Sequence, residues 1–220
     1  MSLRIPSASS PTAAISAADP VMGAFIRRAG PLDPRHGQGD HFTALARSIV
    51  FQQLAGRAAA AIYGRVLEAV GGHMTAEAIL TATPETLRSA GLSANKSAAL
   101  LDLATKSLDG TVPLDGIEAL ADEEIIARLS TVRGIGRWTA EMFLLFELGR
   151  PDVWPVDDYG VRNGWSLIHS LDVMIKPRDL HSAGERFRPH RSLVALYCWH
   201  AVHVARGQVV PLPGGEAGAG

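Results

Sequence analysis

The sequence contains little of what several protein classes require. Its 220 residues include one cysteine, Cys198, which excludes a disulfide within the chain and a zinc or iron–sulfur centre held by cysteines. No apolar run is long enough to cross a membrane, and the N-terminus lacks the apolar core of a signal peptide. We therefore expect an intracellular, soluble protein (cytoplasmic if the source is bacterial) that is a monomer and has no membrane partner.

A surplus of basic charge is also absent. Lysine and arginine number 21 against 22 aspartates and glutamates, so the formal net charge is −1. A nucleic-acid partner would therefore have to be bound by a local basic patch or by backbone dipoles. The C-terminal third contains one candidate patch, which could equally be a solvated basic face: Lys176, Arg178, Arg186, Arg188, His190 and Arg191.

Sustained β-strand alternation is missing as well, whereas apolar residues at helical spacing recur along most of the chain. The pattern predicts an all-α protein, with a helical stretch over 41–70 that breaks near 53–56. Further helices are predicted at 20–26, 75–81, 84–90, 95–108, 115–120, 122–129, 138–148, 158–167 and 192–206. Segments 1–19 and 214–220 are too poor in large side chains to pack, and we expect both to be disordered tails.

The most informative segment covers residues 129–158, LSTVRGIGRWTAEMFLLFELGRPDVWPVDD. Gly134 and Gly136 predict a tight turn with positive φ between two helices, and the backbone amides of such a turn could bind an anion such as phosphate. Arg133 and Arg137 flank the turn and could add positive charge. A lone Gly-x-Gly is more often a plain helix connection, but the full pattern Leu-x-x-Val-x-Gly-Ile-Gly-x-x-x-Ala favours the anion-binding interpretation.

This segment resembles the helix-hairpin-helix motif of the base-excision DNA glycosylase superfamily. The resemblance extends over 40–206 and includes the stretches ARSIVFQQLAGRAA, GLSANKSAALLDLA and FRPHRSLVALYCWH. Within the superfamily the chain is most similar to the alkylpurine (3-methyladenine type II) glycosylases. The resemblance implies two helical lobes flanking a DNA-binding cleft, with the motif at 122–148. The implied lobes are 20–39 together with 141–213, which carries the catalytic aspartate, and 40–140, which ends in the hairpin.

The resemblance implies that Asp158 is the catalytic residue. Cleavage of an N-glycosidic bond builds positive charge on the sugar, and a nearby carboxylate stabilises that charge while it orients or deprotonates the attacking water. Aspartate is also a favoured helix N-cap, so capping is the alternative role for either carboxylate of the pair. We expect Asp157, the other carboxylate of the pair, to be a structural neighbour or a helix cap.

Trp138 stands two residues after the last hairpin glycine, where the resembling glycosylase-lyases carry a Schiff-base lysine. Its presence predicts a monofunctional hydrolase that leaves an abasic site. The predicted base-pocket residues are Trp138, Met142 and Trp199, because indole faces suit an electron-poor, cationic alkylpurine. Core packing is the alternative for either tryptophan, and Met142 stands where the alkylpurine family can carry a further pocket aromatic.

The resemblance also implies contacts to double-stranded DNA that contains damaged bases. Gln53 and Leu54 are the candidates for a side chain that enters the duplex as a wedge, with Gln52 supporting their loop. The full set of predicted DNA-contact residues is Gln52, Gln53, Leu54, Arg133, Gly134, Gly136, Arg137, Thr139 and Arg191. The main-chain carbonyls of Ser130, Val132 and Ile135 are implied to bind a structural Na⁺ or K⁺. No cofactor for catalysis and no iron–sulfur cluster are expected.

The sequence thus predicts a glycosylase of base excision repair that flips alkylated purines of the 3-methyladenine type out of duplex DNA. Two alternatives stay open. One is a damage-binding module that keeps the fold without catalysis, and it would bind lesion DNA tightly without an abasic product. The other is a glycosylase for deaminated purines such as hypoxanthine, which a panel of lesion duplexes would distinguish.

Overall fold

The computed structural model describes residues 10–32, 37 and 40–207, and within these residues the regular structure is entirely helical. The prediction of an all-α protein is confirmed. No helix in this part of the chain is long and apolar enough to cross a membrane. The chain divides into two compact units, a terminal unit (Met1–His36 with Gly149–Gly220) and a central unit (Gly37–Leu148).

Twelve α-helices cover most of the described residues. In chain order they are α1 (Pro11–Ala18), α2 (Pro20–Ala29), α3 (His41–Phe51), α4 (Gly56–Ala69), α5 (Ala76–Thr81), α6 (Pro84–Ser89), α7 (Ala94–Leu108), α8 (Asp122–Leu129), α9 (Arg137–Met142), α10 (Tyr159–Ile168), α11 (Pro177–Gly184) and α12 (Arg191–Ala205). Short 3₁₀ turns add Ile117–Ala119 and Glu185–Phe187, and a π-helical turn adds Phe143–Glu147.

The terminal unit is organised around α12. Its residues 194–199 are buried without interruption, and a helix that is buried on every face belongs in the interior of its unit. α10 packs along α12. The two helices come close together at Gly164, where an added Cβ would overlap the main-chain carbonyl of Cys198. Glycine at this position therefore allows the two helix backbones to approach each other.

The central unit is organised around α7. Ser93 caps this helix by accepting the Lys96 N–H at 3.3 Å, and the buried side chains of Leu100, Leu103 and Ala104 form its apolar face. α3, α5 and α6 pack against it. The helix thereby provides a rigid base for the loops at its surface.

The predicted helix-hairpin-helix motif at 122–148 is confirmed. α8 has the predicted bounds, and Leu129, Val132 and Ile135 are buried as their spacing indicated. The predicted single helix over 138–148 is instead α9 followed by the π-helical turn. An apolar pattern does not distinguish the i→i+4 hydrogen bonds of an α-helix from the i→i+5 bonds of a π-turn.

Other predicted boundaries need correction. Disorder over 11–18 is wrong, because Ser10 accepts the Ala13 N–H at 3.2 Å, Pro11 begins α1 and Ile15 is buried. The unit boundary lies between Leu148 and Gly149, not between 140 and 141, so the π-turn belongs to the same unit as the hairpin. Sequence reasoning missed α11, and the predicted helix at 115–120 is only a 3₁₀ turn. The predicted tail at 214–220 lies outside the described residues.

The helix contact at Gly164 yields a stability prediction. Gly164→Ala is expected to lower the free energy of unfolding by about 1–3 kcal/mol or more, because the added methyl group meets backbone that cannot rotate away. Gly64→Ala is the matched control, since Gly64 lies inside α4 with nothing within 4 Å of an added Cβ. That control should raise the free energy by about 0.5–1 kcal/mol. Urea titration measures both, and equal tolerance of the two alanines would contradict the close α10–α12 packing.

Candidate functional site

Asp158 is the N-cap of α10 and is almost fully buried, with 9% of its surface exposed. Its Oδ1 accepts the Val161 N–H at 2.7 Å and the indole N–H of Trp199 at 2.8 Å. Donors from two different helices therefore fix the orientation of this carboxylate. Asp157 is exposed, and the expectation that it serves as the cap is wrong, because Asp158 caps the helix itself.

The indole of Trp199 lies against the first turn of α10. Only 7% of its surface is exposed, and a Cβ on Gly160 would lie 2.6 Å from its Cδ1. The glycine thus leaves the space that the ring occupies. Trp199 was predicted as a stacking wall for a base. In the structure the ring is buried and its N–H donates to Asp158, so the indole orients the carboxylate, and stacking on a base stays a prediction.

The single cysteine immediately precedes this tryptophan in α12. Cys198 is buried, and burial raises the pKa of its thiol, with the nearby charge of Asp158 raising it further. Because the thiolate is the reactive form of cysteine, a thiol that stays protonated is a poor nucleophile. Cys198 is a packing residue of the α10–α12 contact.

The loop that leads to Asp158 is fastened to the start of α12. Ser192 Oγ donates to the Arg150 carbonyl at 2.6 Å and accepts the Val153 N–H at 2.8 Å. Further along the loop, the indole N–H of Trp154 donates to the Leu180 carbonyl of α11 at 3.0 Å. The chain before Asp158 is therefore held by hydrogen bonds and not by its proline content alone.

Arg191 strengthens the same attachment, and this corrects its predicted role as a DNA contact. The residue is buried, and its guanidinium donates to both carboxylate oxygens of Asp152, at 2.7 and 2.9 Å, and to Glu185 at 3.2 Å. Burial alone would raise the pKa of Asp152, but its bonds to Arg191 hold that pKa below the usual value. Arg191 is therefore a structural ion-pair residue.

In the central unit, the hairpin turn has the left-handed residue that the sequence predicted at Gly134, with φ of +78°. The prediction does not hold at Gly136, which is the extended N-cap of α9 with φ of −98°. A Cβ on Gly134 would lie 3.4 Å from the Cβ of Ala99 in α7. The turn therefore lies directly on α7, and no side chain caps the amides at the start of α9.

Side chains of α7 fix this turn through its main chain. Asp102 Oδ2 accepts the Arg133 N–H at 2.7 Å, and Lys106 donates both to Asp102, at 2.8 Å, and to the Thr131 carbonyl. Burial alone would raise the pKa of Asp102, but its bonds to Lys106 and to the Arg133 amide hold that pKa below the usual value. The turn is thus fixed by charge-assisted hydrogen bonds.

The two arginines that flank the turn differ in how strongly they are bound. The Arg133 guanidinium is exposed and donates to Asn95 at 3.2 Å. Arg137 pairs with both oxygens of Glu123, at 2.6 and 3.0 Å, and with Glu141 at 3.0 Å. The hydrogen bond to Glu123 is the main cause of the raised pKa of Arg137. A phosphate would have to compete with two carboxylates for Arg137, so Arg133 is the better candidate.

The predicted wedge residues lie between α3 and α4. Gln53 and Leu54 are exposed, whereas the Gln52 side chain turns towards the hairpin, where its Nε2 donates to the Gly134 carbonyl at 2.9 Å. The same nitrogen lies 3.5 Å from the hydroxyl of Thr139, which is buried. The Thr139 side chain is therefore engaged inside the protein, and its predicted DNA contact stays a prediction.

Two residues of the predicted base pocket lie on α9. Trp138 is 47% exposed, which is unusual for so large an aromatic side chain, and Met142 is half-buried. A second exposed aromatic was missed: Tyr159 directly follows Asp158 as the first residue of α10 and is largely exposed. Its position beside the candidate carboxylate is the signal that could have found it.

Among the described residues, no group of three or more histidine, cysteine, aspartate or glutamate side chains could hold a metal ion. The main-chain carbonyls predicted for a monovalent ion lie in the hairpin turn. In the described part of the chain, the Val132 carbonyl accepts the Ile135 N–H at 3.0 Å, and no hydrogen bond ends on the carbonyl of Ser130 or Ile135. Carbonyl oxygens are suitable ligands for a hard cation.

Comparison with known proteins places these features in a family. The family model described as "HhH-GPD superfamily base excision DNA repair protein" matches residues 46–189. A curated relative, DNA-3-methyladenine glycosylase 1 of Schizosaccharomyces pombe, is 37% identical over 164 residues, which cover 73% of this chain and 72% of the relative.

Solved structures agree with the sequence comparison. The DNA-3-methyladenine glycosidase of Bacillus halodurans superposes with a TM-score of 0.83 and 33% identity, covering 91% of this chain and 94% of that one. The S. pombe 3-methyladenine DNA glycosylase Mag1, solved with abasic DNA, superposes with a TM-score of 0.76 and 32% identity, covering 86% and 94%. The matched region includes the hairpin, Asp158 and the loop between α3 and α4. The chain therefore belongs to the HhH-GPD superfamily of base excision DNA repair proteins.

Proposed function

We propose that this protein is a monofunctional DNA glycosylase, which hydrolyses the N-glycosidic bond of alkylated purines of the 3-methyladenine type in duplex DNA and leaves an abasic site. The observation that carries the proposal is the Asp158 carboxylate, buried at the start of α10 and oriented by the Val161 amide and the Trp199 indole. Relatives named as 3-methyladenine glycosylases, one of them solved with abasic DNA, support the substrate class.

The carboxylate has the properties that this chemistry needs. As the bond between base and sugar breaks, positive charge develops on the sugar, and a fixed anion stabilises that charge more strongly in a site with little water than in solution. The same carboxylate can orient or deprotonate the attacking water. Because Asp158 is already held by two donors, it does not have to reorient when the transition state forms.

The central unit supplies features suited to DNA binding. The main chain around Gly134 and the start of α9 can bind phosphate without reading sequence, and the guanidinium of Arg133 adds an exposed positive charge. Gln53 and Leu54 project from the loop between α3 and α4. A base must leave the stack before an enzyme can act on its glycosidic bond, and the vacated space then needs a substitute. These two residues are our candidates for that role.

An exposed aromatic on α9 fits the substrate class. The indole of Trp138 offers a face for stacking, and an alkylated purine is electron-poor and cationic, so stacking and cation–π attraction add to each other. Trp199 is a weaker candidate for stacking because its ring is buried. Met142, half-buried on the same helix as Trp138, can adapt its shape to bases of different size.

The proposal includes a structural Na⁺ or K⁺ at the carbonyls of Ser130, Val132 and Ile135. The chemistry of the turn supports this ion, because carbonyl oxygens are suitable metal ligands. Among the described residues, two of the three carbonyls accept no hydrogen bond. When bound, the ion would add positive charge beside the phosphate-binding main chain. It has no part in breaking the glycosidic bond.

Base release from methylated duplex DNA tests the central assignment. Asp158→Asn keeps a side chain that can cap α10 but removes the negative charge, so the single-turnover release rate should fall by at least about a hundredfold. Asp157→Asn is the matched control, because the neighbouring carboxylate is exposed, and it should release base at nearly the wild-type rate. Equal release by wild type and Asp158→Asn would rule out the catalytic assignment.

A panel of lesion duplexes tests the substrate class with the same assay. Duplexes that contain 3-methyladenine, 7-methylguanine or hypoxanthine separate alkylated from deaminated purines, and the proposal expects faster release of the alkylated bases. Preferential release of hypoxanthine would replace the proposed substrate. Tight lesion binding with no abasic product would indicate a damage-binding module instead.

Trp199→Phe tests whether the indole acts through the carboxylate. Phenylalanine keeps an aromatic ring but cannot donate to Asp158, so we expect the single-turnover release rate to fall by about 10- to 100-fold, the range for loss of one hydrogen bond to a charged group. Affinity for lesion DNA should change less than twofold. A variant that binds lesion DNA much more weakly but releases base at the wild-type rate would show that Trp199 stacks on the base instead.

The absence of lyase chemistry is tested by borohydride trapping. Residue 138 is tryptophan, which has no amine to form a Schiff base with the sugar. We expect no covalent protein–DNA adduct after borohydride treatment and an unbroken strand until the abasic product is treated with alkali. A glycosylase-lyase treated in parallel is the positive control, and a trapped adduct of this protein would overturn the monofunctional assignment.

A further inference from the structure

Lys96 is a cation beside the proposed DNA-contact elements, yet its ammonium is bonded to main chain. Its Nζ donates to the Val50 carbonyl and to the Gln52 carbonyl, each at 2.7 Å. These carbonyls lie in the last turn of α3 and at its C-cap, where a helix leaves acceptors without partners and favours a positive charge. The residue is half-buried, and burial lowers the pKa of its ammonium.

The loop that begins at this C-cap has a strained backbone. Gln53 has φ of +56°, a left-handed conformation that costs a residue with a side chain free energy. Leu54 follows with 39% of its surface exposed, and its amide makes a long bond of 3.4 Å to the Phe51 carbonyl. Such a conformation persists only where surrounding contacts impose it, and the bonds from Lys96 are contacts of that kind.

The same loop is tied to the hairpin through Gln52. The carbonyl of Gln52 accepts from Lys96, while its side chain donates to the Gly134 carbonyl at 2.9 Å. Ala99, one turn further along α7, lies under Gly134. Asp102 follows on the same face of α7 and accepts the Arg133 amide. One face of α7 therefore holds the loop at one end and the hairpin turn at the other.

We propose that Lys96 is a positioning residue, which holds the loop Gln52–Leu54 in fixed register with the Gly134 turn so that the wedge enters the duplex at a set distance from the hairpin-bound phosphate. The inference rests on the proposed function, since it takes this loop as the wedge. A lysine next to DNA-contact elements would ordinarily be assigned to a phosphate. Here two of its three donors are already bonded to carbonyls of the loop and of the helix before it.

Preorganisation explains why such a residue matters for damaged DNA in particular. A loop that is already in its inserted conformation loses less conformational entropy on binding. That advantage applies only where the wedge enters a gap in the stack. Binding to undamaged duplex depends mainly on phosphate contacts and should not require the loop to be fixed.

The test measures affinity for two duplexes, one undamaged and one with a stable abasic-site analogue, across a series of salt concentrations. Lys96→Met, which keeps the length of the side chain without its donors, should weaken binding to the abasic duplex about tenfold. Binding to undamaged duplex should change less than twofold. The slope of log K against log salt should stay at the wild-type value, because no phosphate contact is lost.

Lys96→Arg separates the two roles of the lysine. A planar guanidinium keeps the charge but does not fit the position from which one ammonium reaches both carbonyls, so it should not restore abasic-duplex binding. The phosphate-contact alternative predicts the reverse: a slope smaller by about 0.9 in Lys96→Met, equal loss on both duplexes, and rescue by arginine. That set of results would overturn the proposal.

Lys106→Met is the matched control, because it removes a lysine that supports a DNA-contact element other than the wedge loop. Lys106 lies on the same helix and also donates to a main-chain carbonyl, but in the hairpin turn, so its loss should weaken binding to both duplexes alike. If Lys96→Met likewise weakened both duplexes equally, or if wild type did not distinguish them, the positioning role would be refuted. Base release by wild type is measured alongside, and its absence would refute the proposed function independently of the binding results.

Discussion

The Asp158 carboxylate caps α10 through the Val161 amide, and its bond to the Trp199 indole holds the start of α10 against the middle of α12. Other residues of the terminal unit make these bonds possible. Gly160 leaves room for the indole, and Gly164 lets the two helix backbones meet. Arg191 and Ser192, at the beginning of α12, fasten the loop that delivers Asp158. Helix capping and the proposed catalysis therefore both require this carboxylate to be held in a fixed position.

The central unit supplies the candidate contacts to DNA. DNA is a polyanion, whereas the chain has a net charge of −1. Its prominent cations are largely engaged within the protein: Arg137 with two glutamates, Lys106 with Asp102 and a carbonyl, and Lys96 with two carbonyls. The two lysines among them fix the main chain of a turn and of a loop. In the proposed function, a phosphate would be bound by oriented amides with local help from Arg133.

Much of this arrangement could be predicted from the sequence, for identifiable reasons. The bounds of α8 follow from a regular apolar period that ends at a glycine turn, and Asp158 is the catalytic candidate because its position after the hairpin resembles the family pattern. The burial of Arg191 could not be predicted, since its partner Asp152 stands 39 residues earlier in the chain. The role of Trp199 depends on the direction in which its indole N–H points. Glycine can adopt either positive or negative φ, so the sequence does not determine the conformation of Gly136. Such features are decided by tertiary packing.

One carboxylate, that of Asp158, caps a helix and in the proposed function also performs the chemistry. The direct measurement is the single-turnover rate of 3-methyladenine release together with the free energy of unfolding, for wild type, Asp158→Asn and Asp158→Ser. Asparagine keeps an oxygen that can cap the helix and accept the Trp199 indole N–H, so the free energy of Asp158→Asn should stay within about 1 kcal/mol of wild type while base release is lost. Serine caps the helix but is too short to reach the indole, so Asp158→Ser should lose base release together with about 1–3 kcal/mol of stability. Base release that persists in either variant, or that declines only in proportion to the unfolded fraction, would contradict this account.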